Sequence, residues 1–256
     1  WLYLAYLAAR LCCLDRVAGF TVRSVWCFFR PIIDVLARYM IGYALRLPMS
    51  NLETIRFRDV HIDGPDKGVK LGIQIISPVT KEPRPAILIR TPYSRWLMDF
   101  ISRRFAERGF HVLVCDVRGR FSSTGTWEFL SAEKRDGSTT LQWLAKQPWF
   151  NGDLGLIGVS YDGFTLWSTL AAYLELPPNP RLRLRACVPI FTSSDLGKRG
   201  MFAGGIFQLE LACRYLHLQS KLEKPGTTLG FQSLWLWKAL FTVFKEQSGE
   251  GWARAM

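Results

Sequence analysis

The residues of this chain that most clearly suggest chemistry are 158–163, Gly-Val-Ser-Tyr-Asp-Gly, which lie between an apolar run and a helix-like segment. A serine on a sharp turn between a strand and a helix is typical of a nucleophile elbow, which exposes the hydroxyl to a carbonyl. Such a turn needs small neighbours, and Gly158 and Gly163 satisfy that need. The first amides of the following helix can stabilise an oxyanion. The pattern alone leaves open the alternative that Ser160 only caps this helix.

Alternating strands and helices are predicted to position this turn. The two-residue period of strands occurs over 54–62 and 69–76, and the turn 63–68 joins them as a hairpin. Further apolar runs are typical of buried strands in a mainly parallel sheet, at 85–90, 111–116, 154–158 and 182–190. Helical stretches lie between most of them, at 98–108, at 131–147 and after Ser160. The order β-β-β-α-β-α-β-α-β predicts an α/β fold with a sheet like that of the α/β-hydrolases.

The composition fits a protein with a large buried core. The chain has 256 residues, of which 49% are hydrophobic and 21% charged, and this excludes a disordered or collagen-like chain. Its net charge of +12 favours anionic surfaces in general, but no nucleic-acid-binding motif is present. Six cysteines without C-x-x-C spacing indicate neither a zinc site nor a disulfide framework. We therefore expect no metal, no cofactor and no nucleic-acid partner, and a cytoplasmic or membrane-associated location.

The first 48 residues differ from the rest of the chain. Their longest uncharged run, 1–9, is well short of the roughly 20 apolar residues that a membrane-spanning helix needs. Over 25–47, apolar residues recur at three- and four-residue steps, which predicts an amphipathic helix. Two interpretations remain open: a helix at the membrane surface with its arginines toward lipid headgroups, and a helical pair packed on the body of the protein.

Several separated segments, arriving in order, resemble the CocE/NonD hydrolases, a serine hydrolase family related to the X-Pro dipeptidyl-peptidases. Residues 66–71 (DKGVKL) resemble the opening strand of the family, residues 90–93 (RTPY) its R-x-P-Y turn, and residues 115–119 (CDVRG) its D-x-R-G turn. The likeness continues through residues 122–128 (SSTGTWE) and 147–152 (QPWFNG) into the elbow. It covers about residues 45–218 and implies hydrolysis of an ester or amide through an acyl-serine intermediate.

The resemblance also implies roles for individual residues. Ser160 is the expected nucleophile, and the Tyr93 hydroxyl and the Tyr161 backbone N–H are the expected oxyanion hole. Without the resemblance, Tyr93 is more simply interpreted as a core aromatic whose hydroxyl is satisfied. Trp149 and Trp167 are candidates for the substrate pocket.

Three charged residues near these motifs carry separate expectations. Asp116 and Arg118 are expected to fix their turn through a buried ion pair and hydrogen bonds. Asp162 occupies a position that is usually apolar in the family. We expect its carboxylate to disfavour anionic substrates or to alter the contact with a helical cap.

The general base is missing from the sequence at hand. In α/β-hydrolases the triad acid and the histidine follow the serine, but the one histidine after Ser160 is His217, in a predicted amphipathic helix. We therefore expect the triad Asp and His beyond residue 256, in a chain that is a fragment and inactive alone. The predicted regions are a helical segment (1–48), an incomplete hydrolase core of about six strands (49–195) and a truncated helical cap (196–256). The alternative is a non-catalytic, membrane-associated protein; membrane contact through 1–48 and homo-oligomers stay open.

Overall fold

The computed structural model describes Pro48, residues 55–195 and residues 201–222, and the statements below concern these residues. The elements follow the predicted order and are β1 (Ile55–Asp63), β2 (Lys70–Pro78), β3 (Arg84–Thr91), α1 (Arg95–Ala106), β4 (His111–Asp116), α2 (Glu133–Ala145), β5 (Phe150–Val159), α3 (Tyr161–Glu175), β6 (Arg183–Ile190) and α4 (Leu209–Leu222). The amphipathic helix predicted within 1–48 lies outside the described residues.

The strands form one mixed sheet in the order β1-β2-β4-β3-β5-β6. The first two strands pair as an antiparallel hairpin, and β2 runs antiparallel to β4. The neighbours β4, β3, β5 and β6 are all parallel. The carboxyl ends of these four strands therefore meet at one edge of the sheet, where α/β folds bind their ligands.

Alternation along the strands divides the core between the two faces of the sheet. Leu88 and Leu113 pack with leucines of α2 and α3, such as Leu141 and Leu166. Their neighbours in the sequence, including Ile87, Ile89, Val112 and Val114, pack on the opposite face with Ala106 of α1. Helices thus cover both faces, as the apolar strands require.

The innermost strand, β4, carries a free cysteine. Cys115 is fully buried, and this burial raises the pKa of its thiol to about 12. Its chain neighbour Asp116 is also buried, and burial likewise raises the pKa of that carboxyl group. The carboxyl end of β4 thus carries two polar groups, a thiol and a carboxyl group, that are shielded from water.

The sequence predicts separate regions at the two ends of the chain. Within residues 55–195 and 201–222, no helix is long and apolar enough to cross a membrane. The core forms one compact unit, Pro48–Cys213, and the second unit consists of Trp1–Leu47 together with Arg214–Met256. Most of the regions 1–48 and 196–256 lie outside the described residues, so the predicted boundaries stay predictions.

Candidate active site

Ser160 lies on an exposed, strained turn between β5 and α3. Its backbone has φ 58° and ψ −119°, a conformation that L residues rarely adopt. The Ser160 N–H donates to the carbonyl of Ile190 at 2.9 Å, which fixes the turn to the end of β6. The Ser160 side chain makes no capping hydrogen bond to α3, so the helix-cap alternative does not describe this residue.

Two glycines make the turn sterically possible. A Cβ atom at Gly158 would lie 2.0 Å from the carbonyl oxygen of Asp162, and one at Gly163 would lie 2.4 Å from Cγ2 of Thr192. Both distances are far below van der Waals contact. The small residues that the motif requires are therefore needed for the close approach of backbone and side chains around Ser160.

We expect Gly158→Ala to destabilise the protein by about 3 kcal/mol, because its new methyl group would collide with backbone atoms that cannot rotate away. The matched control is Gly155→Ala on the same strand, where the added Cβ would meet Cγ1 of Ile87 at an ordinary 3.7 Å. Chemical denaturation of the full-length variants measures both effects. Equal losses in the two variants would contradict the steric role of Gly158.

Tyr93 and Tyr161 place two groups that can donate hydrogen bonds beside the serine. The Tyr93 hydroxyl lies 3.3 Å from Ser160 Oγ, and the backbone N–H of Tyr161 donates to the Tyr93 hydroxyl oxygen at 3.4 Å. These distances are long, as is common before substrate tightens a catalytic site. Tyr93 thus meets Ser160 and Tyr161 across a separation of 67 and 68 positions in the sequence, and an acyl oxygen placed there could accept from both donors.

The turn that carries Tyr93 is held by buried polar contacts. The Tyr93 N–H donates to the Thr91 hydroxyl at 3.1 Å, and Arg120 Nε donates to the carbonyl of Pro92 at 3.2 Å. The Arg120 guanidinium is 1% exposed and stacks 5.0 Å from the ring of Trp127. Sequence reasoning missed Arg120, because an arginine beside a glycine turn gives no signal of a buried role.

The side chain of Asp162 does not lie where the sequence predicts it. Its side chain is 1% exposed and faces the interior, so the carboxyl group does not meet substrate at the surface. Neither carboxyl oxygen makes a well-formed hydrogen bond. Burial raises the pKa of Asp162 well above its usual value, the Thr91 hydroxyl opposes this shift, and Glu133 adds to it. The expectation that this carboxylate meets substrate is therefore wrong, because Asp162 is a buried acid beneath the elbow. Its expected effect on the contact with a helical cap stays a prediction.

We expect Asp162→Asn to stabilise the protein at pH 8 and to leave it unchanged near pH 4. A carboxyl group whose pKa is raised on folding contributes fully to the free energy of unfolding when the pH is below its unfolded pKa. This contribution is lost as the pH rises toward the folded pKa. The loss has a slope of about 1.4 kcal/mol per pH unit until the folded pKa is reached. Denaturation of wild type and variant across this pH range measures the difference.

Asp153→Asn provides the control of opposite sign. Hydrogen bonds from Arg183 and Arg185 lower the pKa of Asp153, so its contribution is present at neutral pH and is lost in acid. The Asp153→Asn variant is expected to be less stable than wild type at pH 8 and equal to it in acid. If the free energy of unfolding of the Asp162→Asn variant depends on pH as that of wild type does, a group other than Asp162 causes the loss of stability at high pH.

Trp149, one of the two tryptophans proposed for the substrate pocket, lies away from the serine. Trp149 precedes β5, while Ser160 follows its other end, and a ten-residue strand spans about 33 Å. Trp149 instead packs against His111, with ring centroids 4.6 Å apart. Trp167 lies almost two turns into α3 and packs against the core beside Leu166. The structure does not bring Trp149 to the nucleophile, because strand length separates them; for Trp167 the pocket role stays a prediction.

The histidines of the core have other partners. His111 Nδ1 lies 2.8 Å from the Ser77 hydroxyl, and burial lowers the pKa of this histidine to about 4. His61 Nε2 lies 3.1 Å from the carbonyl oxygen of Ser122. Both belong to other parts of the sheet, as expected. His217 lies on α4, in the second unit of the chain.

Asp116 and Arg118 are both buried and both form ion pairs, but not with each other. The Asp116 carboxylate accepts from Arg95 Nε at 2.9 Å and from the Ser122 hydroxyl at 2.6 Å. Arg118 pairs with Asp136 at 2.6 Å. The two residues fix separate loops at the edge of the sheet. Among residues 55–195 and 201–222, no group of three His, Cys, Asp or Glu side chains could hold a metal ion.

Comparisons with known proteins give a consistent result. The family model for X-Pro dipeptidyl-peptidase (S15 family) matches residues 67–232, which is more than half of the chain. The cocaine esterase of Rhodococcus sp. (strain MB1 Bresler) is 29% identical over 150 residues, which cover 56% of this chain and 25% of the esterase. The chain therefore spans about a quarter of the length of the curated relatives that it matches.

A solved structure has the same fold, and a second similar structure is reported beside it. An aminopeptidase from a marine sediment archaeon, Thaumarchaeota archaeon, aligns with a TM-score of 0.52 and 25% identity, covering 67% of this chain and 31% of its own. A CocE/NonD family hydrolase from Staphylococcus aureus aligns with a TM-score of 0.47 and 22% identity, covering 56% and 28%. The predicted α/β-hydrolase fold and the predicted family resemblance are confirmed. With its matched sheet, elbow and loops, the chain belongs to the X-Pro dipeptidyl-peptidase (S15) family.

Proposed function

We propose that the full-length protein is a serine hydrolase that cleaves a small ester or amide through an acyl-Ser160 intermediate. The observation that supports this proposal best is the convergence of an exposed serine with two donors, the Tyr93 hydroxyl at 3.3 Å and the Tyr161 N–H beside it. Membership of a family of peptidases and similarity to an esterase agree with this reaction class.

The proposed reaction has two halves. Ser160 Oγ attacks the substrate carbonyl carbon while a histidine takes its proton, and the negative oxygen of the tetrahedral intermediate accepts from Tyr93 and from the Tyr161 amide. The carbon–oxygen or carbon–nitrogen bond to the leaving group then breaks, and the histidine gives its proton to that group. Water, activated by the same histidine, attacks the acyl-serine and releases the acid.

We propose that the triad Asp and His come from sequence that follows residue 256. His61 and His111 are engaged by Ser122 and Ser77, and the curated relatives are about four times as long as the matched segment. In hydrolases of this fold, the acid and the histidine come after the serine in chain order.

Apolar side chains near the elbow suit a substrate with an uncharged, apolar part. Phe191 follows the residue whose carbonyl binds the Ser160 N–H, and it is 75% exposed. Phe129 packs 5.7 Å from the ring of Tyr161 and is also partly exposed. Exposed aromatic groups around a nucleophile favour binding of an apolar acyl or leaving group.

Labelling with a fluorophosphonate probe tests the proposal directly. Such a probe phosphonylates an activated serine and displaces fluoride, so we expect native full-length protein to be labelled at Ser160, as located by mass spectrometry of its peptides. Heat-denatured protein is the control, because unfolding separates the serine from its base and donors. Absence of labelling in the native protein would favour the alternative of a non-catalytic, hydrolase-like protein.

A further inference from the structure

A single buried carboxylate, Glu133, connects the two chain segments that carry the oxyanion donors. Glu133 opens α2, and its side chain is 2% exposed. Its Oε2 accepts from Arg90 Nη2 at 2.9 Å, and its Oε1 accepts from the Tyr161 hydroxyl at 2.9 Å. One partner thus belongs to β3 and the other to the first residue of α3.

We call these two hydrogen bonds of Glu133 the Glu133 bridge. Both of its partners lie close in sequence to an oxyanion donor. Arg90 comes three residues before Tyr93, on the strand that leads into the Tyr93 turn. Tyr161 itself supplies the backbone N–H of the predicted oxyanion hole. A shift of Glu133 would therefore be transmitted to both donors, one through β3 and one through the first turn of α3.

Further contacts hold the bridge rigid. Arg90 Nη1 donates to the backbone carbonyl of Glu133 at 2.6 Å and to the Thr169 hydroxyl at 3.3 Å. The Tyr161 hydroxyl oxygen also accepts from the Leu130 N–H at 3.1 Å. The phenol thus connects the carboxylate to the loop before α2. Buried charge-assisted hydrogen bonds of this kind have defined geometry, and the cost of breaking them is high.

We propose that Glu133 is a positioning residue for the oxyanion hole: through Arg90 and the Tyr161 hydroxyl, it sets the separation of the Tyr93 phenol and the Tyr161 amide. This inference rests on the proposed hydrolase function. Oxyanion stabilisation depends on donor positions within about 0.5 Å, so a small relaxation of this bridge reduces the rate without changing which groups are present.

Tyr161→Phe is the variant that tests the proposal most cleanly. It removes the hydroxyl bonded to Glu133 but keeps the aromatic ring and the backbone N–H. The matched control is Tyr173→Phe on the same helix, whose hydroxyl also contacts backbone, at Leu182 and Leu184, both at 3.3 Å. We expect fluorophosphonate labelling of the full-length Tyr161→Phe protein to be about 10-fold slower than that of wild type, and labelling of Tyr173→Phe to stay within 2-fold.

Steady-state kinetics with an activated ester provide a second readout. A loss of oxyanion geometry lowers kcat and leaves KM unchanged, whereas a general loosening of the fold changes both. Equal labelling rates in wild type and Tyr161→Phe would overturn the positioning role, as would equal slowing in both tyrosine variants. If wild type itself is not labelled, the proposed hydrolase function fails first, and the positioning role fails with it.

Discussion

Replacement of Ser160 by alanine is expected to lower ester hydrolysis by the full-length protein by a factor of about 10⁴ to 10⁶. In the reaction proposed above the Ser160 hydroxyl is the nucleophile, so the acyl-enzyme cannot form without it. The residual rate would come only from donors that still stabilise attack by water. Turnover of an activated ester by purified wild type and variant measures the loss.

The fold is expected to tolerate this change, which makes the kinetic result interpretable. The Ser160 side chain is exposed and does not cap α3, so its removal costs little packing and no helix hydrogen bond. Ser131→Ala is the control, because Ser131 is exposed and makes one side-chain contact, to Glu128 at 3.1 Å. Activity above about one hundredth of wild type in Ser160→Ala would point to a different nucleophile.

Tyr93→Phe is expected to lower kcat by a factor of about 10² to 10³. The change removes one of the two proposed oxyanion donors while the Tyr161 N–H stays in place. Because the donor acts mainly on the charge that develops in the transition state, KM is expected to change little. The buried ring is retained, so the effect on stability is expected to be small.

Three measurements together define the result for Tyr93. The rate of fluorophosphonate labelling is expected to fall with kcat, because the phosphonylation transition state also places charge on an oxygen. Thermal unfolding checks that the fold is intact. A variant with unchanged kcat and a raised KM would instead assign the Tyr93 hydroxyl to substrate binding in the ground state.

Local patterns predicted the elements of the core well. Period-two alternation gave the hairpin β1–β2 to within two residues, and the apolar run at 111–116 coincides with β4. The strand β5 starts four residues before the predicted 154, because pairing of Phe150 with Arg84 and of Asp153 with Arg183 extends it through residues that form no continuous apolar run. Such pairing depends on the neighbouring strand and leaves no local signal.

The site shows where sequence reasoning reaches its limit. Tyr93, Ser160 and Tyr161 are connected in the sequence only by the family resemblance, and the sheet brings Tyr93 into contact with the other two. Asp162 was expected near substrate, but the phase of α3 turns its side chain inward. Glu133 was not singled out, because only the tertiary structure places an acid of α2 between Arg90 and Tyr161.

The rate at which the buried Cys115 thiol of β4 is alkylated can report how often the sheet opens. Burial raises the pKa of the Cys115 thiol, which disfavours the reactive thiolate, and keeps an alkylating reagent away from it while the sheet is closed. Alkylation of Cys115 therefore proceeds through rare openings of the central strands, whereas the exposed Cys213 reacts directly. The ratio of the two alkylation rates reports how often the central strands, which support the Ser160 turn, separate under native conditions.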